Sequence, residues 1–552
     1  MVKKTDFILG CLLGLLIALY FYGLKIIDPH NVQWILKGGD SYQHFIGWAF
    51  FKNDIWRWPL GLNPHFGSEI GGSIVFTDSI PLLSIVLKFL LPPLSAPVQF
   101  LGLAVMINYM LTGGVLVLIL KKLMSSTFVS LIIALLLVSS TVMTIRGIGG
   151  HGHESLTAHW TFLYAMYLLL DGGLKGSHFP YFKWAALLVL TVLIHFYLFV
   201  LCAPFFVAAH IQYFIHSKQL KWQQLLKQLL SIILTMSVVL GLMYAVGYFV
   251  LPIKSSLTSE YGSYPASLLT FINPASSAWF LNMESSKSLS GFFSGFSSAI
   301  AGQYEGQAYL GLGLIVLLNI TFFSLLIRRV SLLWALPMAG VCFLLSLIAL
   351  SNHVSLYDQF LIYDIPPQMA AWLGMVRASG RLIWPMFYLL VILAGFILSK
   401  NFSTRSQVGI LLLVAILQIG DLSAWHRSLR ARNHDYSNVH IDHLKSNQAF
   451  KTMISHAKSI VLLPADYVDD YQAYSWEALR AGIPINTGYY ARNPSPEFFA
   501  KINVPQLEKI KRCDLNPSVL YILRRFEAKA CPGQDVLHTQ YKDTLWMIKT
   551  GS

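Results

Sequence analysis

The feature that most constrains this chain is a train of apolar runs, each near the length of a bilayer-crossing helix. They fall at residues 7–24, 98–120, 127–145, 156–171, 184–199, 201–216, 229–251, 308–327, 331–350, 381–399 and 405–421. About 20 apolar residues in a helix cross the hydrocarbon core of a bilayer, and runs of this length have no stable home in water unless they bury one another. Eleven of them in 552 residues predict an all-α polytopic membrane protein with about eleven transmembrane helices. The composition agrees: 55% of residues are hydrophobic and 12% charged, against about 25% charged in a soluble domain.

Lys and Arg outnumber Asp and Glu by 40 to 26, yet the excess gathers in short loops beside the apolar runs. Lys3 and Lys4, Lys121 and Lys122, Lys175, the run Lys218 to Lys227, Arg328 and Arg329, and Lys400 with Arg405 fall at alternate ends of the runs. One orientation places them all in the cytoplasm, with the N-terminus inside and the C-terminus outside. This distribution excludes a nucleic-acid face. No small-residue cleavage site follows the first run, so Phe7 to Leu24 reads as an uncleaved signal anchor.

With that topology, outer loops 25–97 and 252–307 are long and the cytoplasmic loops are short. The chain therefore divides into a membrane domain, residues 1–421, and a small extracytoplasmic α/β domain, residues 422–552. In the latter Asn447 to His456 reads as a helix, and Ser459 to Pro464, Val519 to Arg524 and Thr544 to Lys549 read as strands. Cys513 and Cys531 lie in this polar tail and are candidates for a disulfide, the alternative being two unrelated thiols. The aromatic segment Tyr42 to Trp58 suits a helix lying in the membrane interface.

Three outer-face clusters carry candidate chemistry. Gly38-Gly39-Asp40 places a carboxylate where it could act as a general base or cap the helix that follows. His151, His153, Glu154 and His159 lie within nine positions. Their spacing fits no zinc pattern, which favours hydrogen bonding to a polar substrate over metal binding, with a helix cap and interfacial histidines as the alternative. Arg377 and Arg381 would share a face if their stretch is α-helical, and guanidinium groups suit a phosphate; snorkelling arginines are the alternative. Asp78 and Glu305 each precede an apolar segment and join the substrate-binding candidates.

The stretches GGDSYQHFIGWAFFKNDIWRWPLGLNP, FTDSIPLL, GQYEGQAYLGLG and RASGRLIWP resemble a bacterial family of multispanning proteins of unassigned function. That family is similar in layout to the GT-C superfamily of membrane glycosyltransferases. The resemblance implies a GT-C-like membrane domain, Asp40 as catalytic base, Glu154 as a second catalytic acid, and a phosphate held by Arg377 and Arg381. The first loop departs from the superfamily pattern, because Tyr42 stands two residues after Asp40 where a paired acid would be. No metal ligands are therefore assigned, and a divalent ion stays an open alternative to a site without cofactor.

The expected activity is inverting transfer of a sugar from a polyprenyl-phosphate donor to a glycan, lipid or protein acceptor in the cell envelope. The protein would sit in a bacterial inner membrane, in contact with membrane lipids, with its C-terminal domain periplasmic or extracellular. A transporter or flippase of a lipid-linked or polar anionic substrate is the first rival, and a non-catalytic envelope scaffold the second.

Overall fold

The computed structural model describes residues 3–94, 96–175, 179–216, 222–251, 260–274, 301–356, 359–434, 441–466, 470–492, 494–524, 531–532 and 535–550. Lys218, Lys221 and most of the 252–307 loop lie outside the described residues, as does the side chain of Lys175.

The apolar runs form helices. Among the described residues, seven of these are long and apolar enough to cross a membrane: Lys4–Tyr22, Leu101–Leu123, Phe196–Ile215, Trp222–Val246, Leu333–Leu350, Ser379–Asn401 and Thr404–His434. The other four expected crossings are the shorter helices Thr127–Val138, Trp160–Lys175, Tyr181–Ile194 and Leu312–Ile327. The 127–145 run shows why length was misjudged. Ser139 and Ser140 turn their hydroxyls back onto the carbonyls of Leu135 and Leu137, so the helix stops and a four-residue helical turn, Thr141–Thr144, follows.

Close packing of the bundle begins at the first helix. Lys4–Tyr22 crosses Leu101–Leu123 at Gly10 and Gly14, where an added Cβ would lie 2.5 Å from the Gly113 carbonyl oxygen and 2.1 Å from that of Tyr109. Four-residue spacing of small residues is what lets two apolar helices touch backbone to backbone.

The Tyr42 to Trp58 segment is corrected. Its helical part, Gly39–Asn53, is buried from Ser41 to Lys52 rather than lying in an interface. The buried residues run without a break from Ser41 to Lys52, so every side of the helix is covered and no polar face remains to meet water. Lys52 is accommodated by donating to the carbonyls of Leu91 and Pro92. The helix is thus an internal strut between the membrane helices and the C-terminal domain.

In that domain strands β3 (Ser459–Leu463), β4 (Val519–Arg524), β5 (Val536–Tyr541) and β6 (Thr544–Lys549) make one sheet in the order β3-β4-β6-β5. β3 and β4 are parallel and the other pairs antiparallel. Separately, His353–Leu356 and Gln359–Ile362 (β1 and β2) form a hairpin. Alternation along the sheet serves two cores: Val461, Leu463, Tyr521, Leu523 and Met547 pack beneath the Pro496–Lys511 helix, while Ile460, Leu462, Leu520, Ile522 and Trp546 join the main core. β5 and the helices Tyr471–Ala481 and Pro496–Lys511 were not anticipated from the sequence.

Cys513 and Cys531 are joined, with their Cα atoms 5.5 Å apart and a sequence separation of 18. Closing a loop of this size removes unfolded-state entropy worth about 3 kcal/mol in the chain-entropy model. Cys513→Ser is therefore expected to lower the unfolding midpoint of the C-terminal domain in non-reducing buffer and to leave it unchanged in reducing buffer, as read by tryptophan fluorescence.

Candidate functional site

The site is assembled around the start of the Gly39–Asn53 helix. Gly38 is the N-cap, with no side-chain capping bond, so Asp40 is not a cap. Its carboxylate sits in the first helical turn, where the helix dipole favours negative charge, and its Oδ2 lies 3.2 Å from His153 Nε2. Burial raises the carboxyl pKa, an effect partly offset by the nearby His44 and Arg381.

One turn further along, His44 Nδ1 is 2.6 Å from Glu154 Oε2, and the Ser41 hydroxyl donates to Glu154 Oε1 at 2.5 Å. Burial pushes the His44 pKa down, but the bond to Glu154 and the charges of Glu154, Asp78 and Asp40 outweigh it, leaving the pKa raised. Glu154 is fully buried. It lies in a 3-10 turn, Glu154–Thr157, rather than at the start of the Trp160–Lys175 helix. Expected to act as a second catalytic acid, it has its two oxygens engaged by Ser41 and His44.

Asp78 arrives from the Phe76-Thr77-Asp78-Ser79 turn with a φ of 52°, and Ile80 follows at 48°. Left-handed backbone is tolerated by Asp but strained for a β-branched residue, at a cost of about 1–3 kcal/mol. The turn is held by the Ser79 hydroxyl on the His44 carbonyl, and Pro81 starts the next helix. Asp78 Oδ1 is 3.2 Å from His195 Nε2. Because His195 Nδ1 accepts from the Tyr197 amide, Nε2 carries the proton and donates to Asp78. Burial would raise the Asp78 pKa, but His195, His44 and Arg381 bring it below its ordinary value. His153 is driven well below the imidazole range by burial and by the surrounding cations, Arg381 first.

Glu305, expected to bind substrate, is a buried counterion that also lines a small cavity with Asp40. Arg381 grips it through Nε at 2.7 Å and a terminal nitrogen at 3.0 Å, and Arg146 meets the same carboxylate at 2.7 Å. Burial opposes its charge, yet the two guanidiniums bring its pKa down to about 2. Arg381 is correspondingly spent on Glu305 and on the Tyr197 ring. Nor does it share an α-helical face with Arg377, since Ser379–Ile383 is a 3-10 turn. Arg377 is partly exposed and 3.9 Å from Glu260.

His159 is corrected as well: it is buried in the bundle, bonded to the Tyr388 hydroxyl and stacked on Trp384. His151 rests against the Tyr304 ring, and burial together with Arg146 lowers its pKa to about 4.

Three cavities with shared walls meet here. A polar one of about 250 Å3 is bordered by Asp40, His151 and Arg432. A small one of about 80 Å3 holds Asp40, Asp78, His153, Arg377 and Tyr489. The third, about 500 Å3, shares Asp78, His153 and Arg377 but is walled mainly by apolar groups such as Phe196, Met243, Phe249 and Leu251. A profile described as a domain of unknown function, DUF6311, matches residues 11–423, well over half of the chain. The chain belongs to the DUF6311 family. The DUF6311 C-terminal domain matches residues 449–550. No curated protein matches the chain.

Residues from both family regions meet at this site. Tyr489, Ala491 and Arg492 of the C-terminal domain line its cavities, and Tyr42 donates to the Gln472 carbonyl at 2.7 Å. Glu69 accepts from Asn486 and Gln506, pinning the first long loop to the same domain. His44, Arg146, His195 and Arg492 were not chosen from the sequence. Of these only His44, inside the Gly38–His44 segment, carried a local signal.

Proposed function

We propose that the protein is an integral membrane glycosyltransferase of GT-C-like layout, crossing a bacterial inner membrane eleven times with its C-terminal domain outside. The observation that carries this reading is the placement of Asp40. It is a carboxylate freed from capping that lines a polar cavity and a small one, and the small one shares Asp78, His153, Arg377 and Arg381 with a larger, mainly apolar cavity. A polyprenyl-phosphate sugar has the matching three parts. Its hydrocarbon chain would occupy the cavity of Phe196, Met243 and Leu251, its phosphate would lie near Arg377 and Arg492, and its sugar would face Asp40.

In the reaction an acceptor hydroxyl attacks the anomeric carbon from the face opposite the phosphate. Asp40 takes the hydroxyl proton as the new C–O bond forms. The bond from the anomeric carbon to the phosphate oxygen breaks, its electron pair leaves with the phosphate, and the configuration inverts. Arg377 and Arg492 stabilise the leaving charge from fixed positions. His153 holds one oxygen of Asp40, leaving the other for the acceptor. Arg381 is assigned to support rather than phosphate binding because Glu305 occupies it.

Mass spectrometry of lipid-linked sugars and surface glycans, in cells with the wild-type gene or its deletion, tests this. A sugar missing from the envelope together with accumulation of its lipid-linked donor on the outer leaflet supports the reading. Donor trapped on the cytoplasmic leaflet would point to a flippase instead, and unchanged glycans would refute both.

A further inference from the structure

We propose that His44, His153 and Asp78 bind a divalent transition-metal ion of the zinc class. The three side chains are buried, and one ligand atom from each lies within 4.8 Å of the other two. Their rings and carboxylate come from separate segments: the Gly39–Asn53 helix, the loop before Glu154, and the strained turn at Asp78.

The hydrogen bonding leaves the right atoms over. His44 uses Nδ1 on Glu154 and His153 uses Nε2 on Asp40. The remaining nitrogens, His44 Nε2 and His153 Nδ1, are buried with no hydrogen-bond partner among the described residues. A buried polar atom without a partner is costly, and here two of them occur in one cluster. A metal ion satisfies both at once.

Each ligand also has the orienting partner that metal-binding side chains need. Glu154 fixes the His44 tautomer so that Nε2 presents a lone pair, and Asp40 does the same for Nδ1 of His153. His195 holds the Asp78 carboxylate from its other side. Zinc bonds to nitrogen and oxygen are about 2.0–2.2 Å long, so the three groups need to close by about an ångström each. A donor set of two imidazoles and one carboxylate suits zinc-class ions and not Mg2+ or Ca2+, which take oxygen. Asp78 and His153 line the small cavity beside Asp40, so a fourth coordination position would open toward it.

The site stands independently of the glycosyl-transfer reading, and its test reads metal binding alone. The full chain in detergent, stripped with a chelator, is titrated with Zn2+, desalted and measured by elemental mass spectrometry and calorimetry. One Zn2+ per chain is expected, not displaced by excess Mg2+. Monodisperse His44→Gln and Asp78→Asn variants should lose it, and Glu154→Gln should weaken it by about 10- to 100-fold. X-ray absorption of the zinc-loaded wild type, which needs no variant, should show two imidazoles with oxygen. Failure of the wild type to retain zinc, undiminished binding by the monodisperse variants, displacement by Mg2+, or a shell without imidazole would each overturn the proposal.

Discussion

Asp40→Asn should slow sugar transfer by about 10²- to 10⁴-fold, the usual worth of a positioned general base, while the chain inserts and folds as the wild type does. The helix start does not depend on this side chain, because the N-cap is Gly38 and makes no side-chain capping bond. Asparagine keeps the size of the group and an oxygen that can accept from His153. What it loses is the capacity to take a proton. In vesicles holding purified protein and a lipid-linked donor, the loss should fall on kcat, with KM for the donor little changed. In cells the same substitution should reproduce the glycan defect of the deletion at matched protein level. A variant that transfers at the wild-type rate would remove Asp40 from the reaction.

Glu305→Gln should cost about 3–5 kcal/mol of stability, because removing one partner of a buried ion pair strands the other in a low-dielectric interior. Here two cations are stranded. Arg381 loses a forked contact, and Arg146, almost wholly buried, keeps the carbonyls of residues 304 and 305 and the Trp384 ring but no carboxylate among the described residues. Thermal unfolding in detergent, followed by tryptophan fluorescence, would measure the loss. The pH dependence has a definite sign: the Glu305 pKa falls from 4.5 unfolded to about 2 folded. Its contribution is complete above pH 4.5 and is lost as pH falls toward 2. The Gln variant should lack that component of acid sensitivity, and equal acid profiles would contradict the assignment.

Helix positions were legible from the sequence because apolar runs of near-bilayer length leave few alternatives. Helix lengths were less so: Ser139 and Ser140 ended one run by donating back to the carbonyls of Leu135 and Leu137, a local choice that hydropathy does not register. The Tyr42 to Trp58 segment misled for a different reason. Its aromatic and charged mixture is what an interfacial helix carries, and only the tertiary structure reveals that Lys52 is satisfied by two carbonyls inside the protein.

Within the site, Asp40, Asp78, His153 and Arg377 were reachable from sequence because each sits in a Gly-rich or polar break beside an apolar run. Glu154 and Glu305 were noticed for the same reason, yet both are buried and engaged by neighbouring side chains. His195 lies inside the 184–199 apolar run, yet it caps the Tyr181–Ile194 helix and faces Asp78. The His44, Asp78 and His153 grouping had no sequence signature at all, because zinc patterns are recognised by short spacing and these ligands come from three distant segments.

The wall contributed by Tyr489, Ala491 and Arg492 bears on how the protein comes into being. A ribosome delivers the membrane helices first and these residues late. Until the C-terminal domain docks on Tyr42 and Glu69 through Gln472, Asn486 and Gln506, the chamber beside Asp40 lacks that wall. A chain interrupted before residue 489 would lack this wall, so under the proposed function it could not enclose a donor beside Asp40.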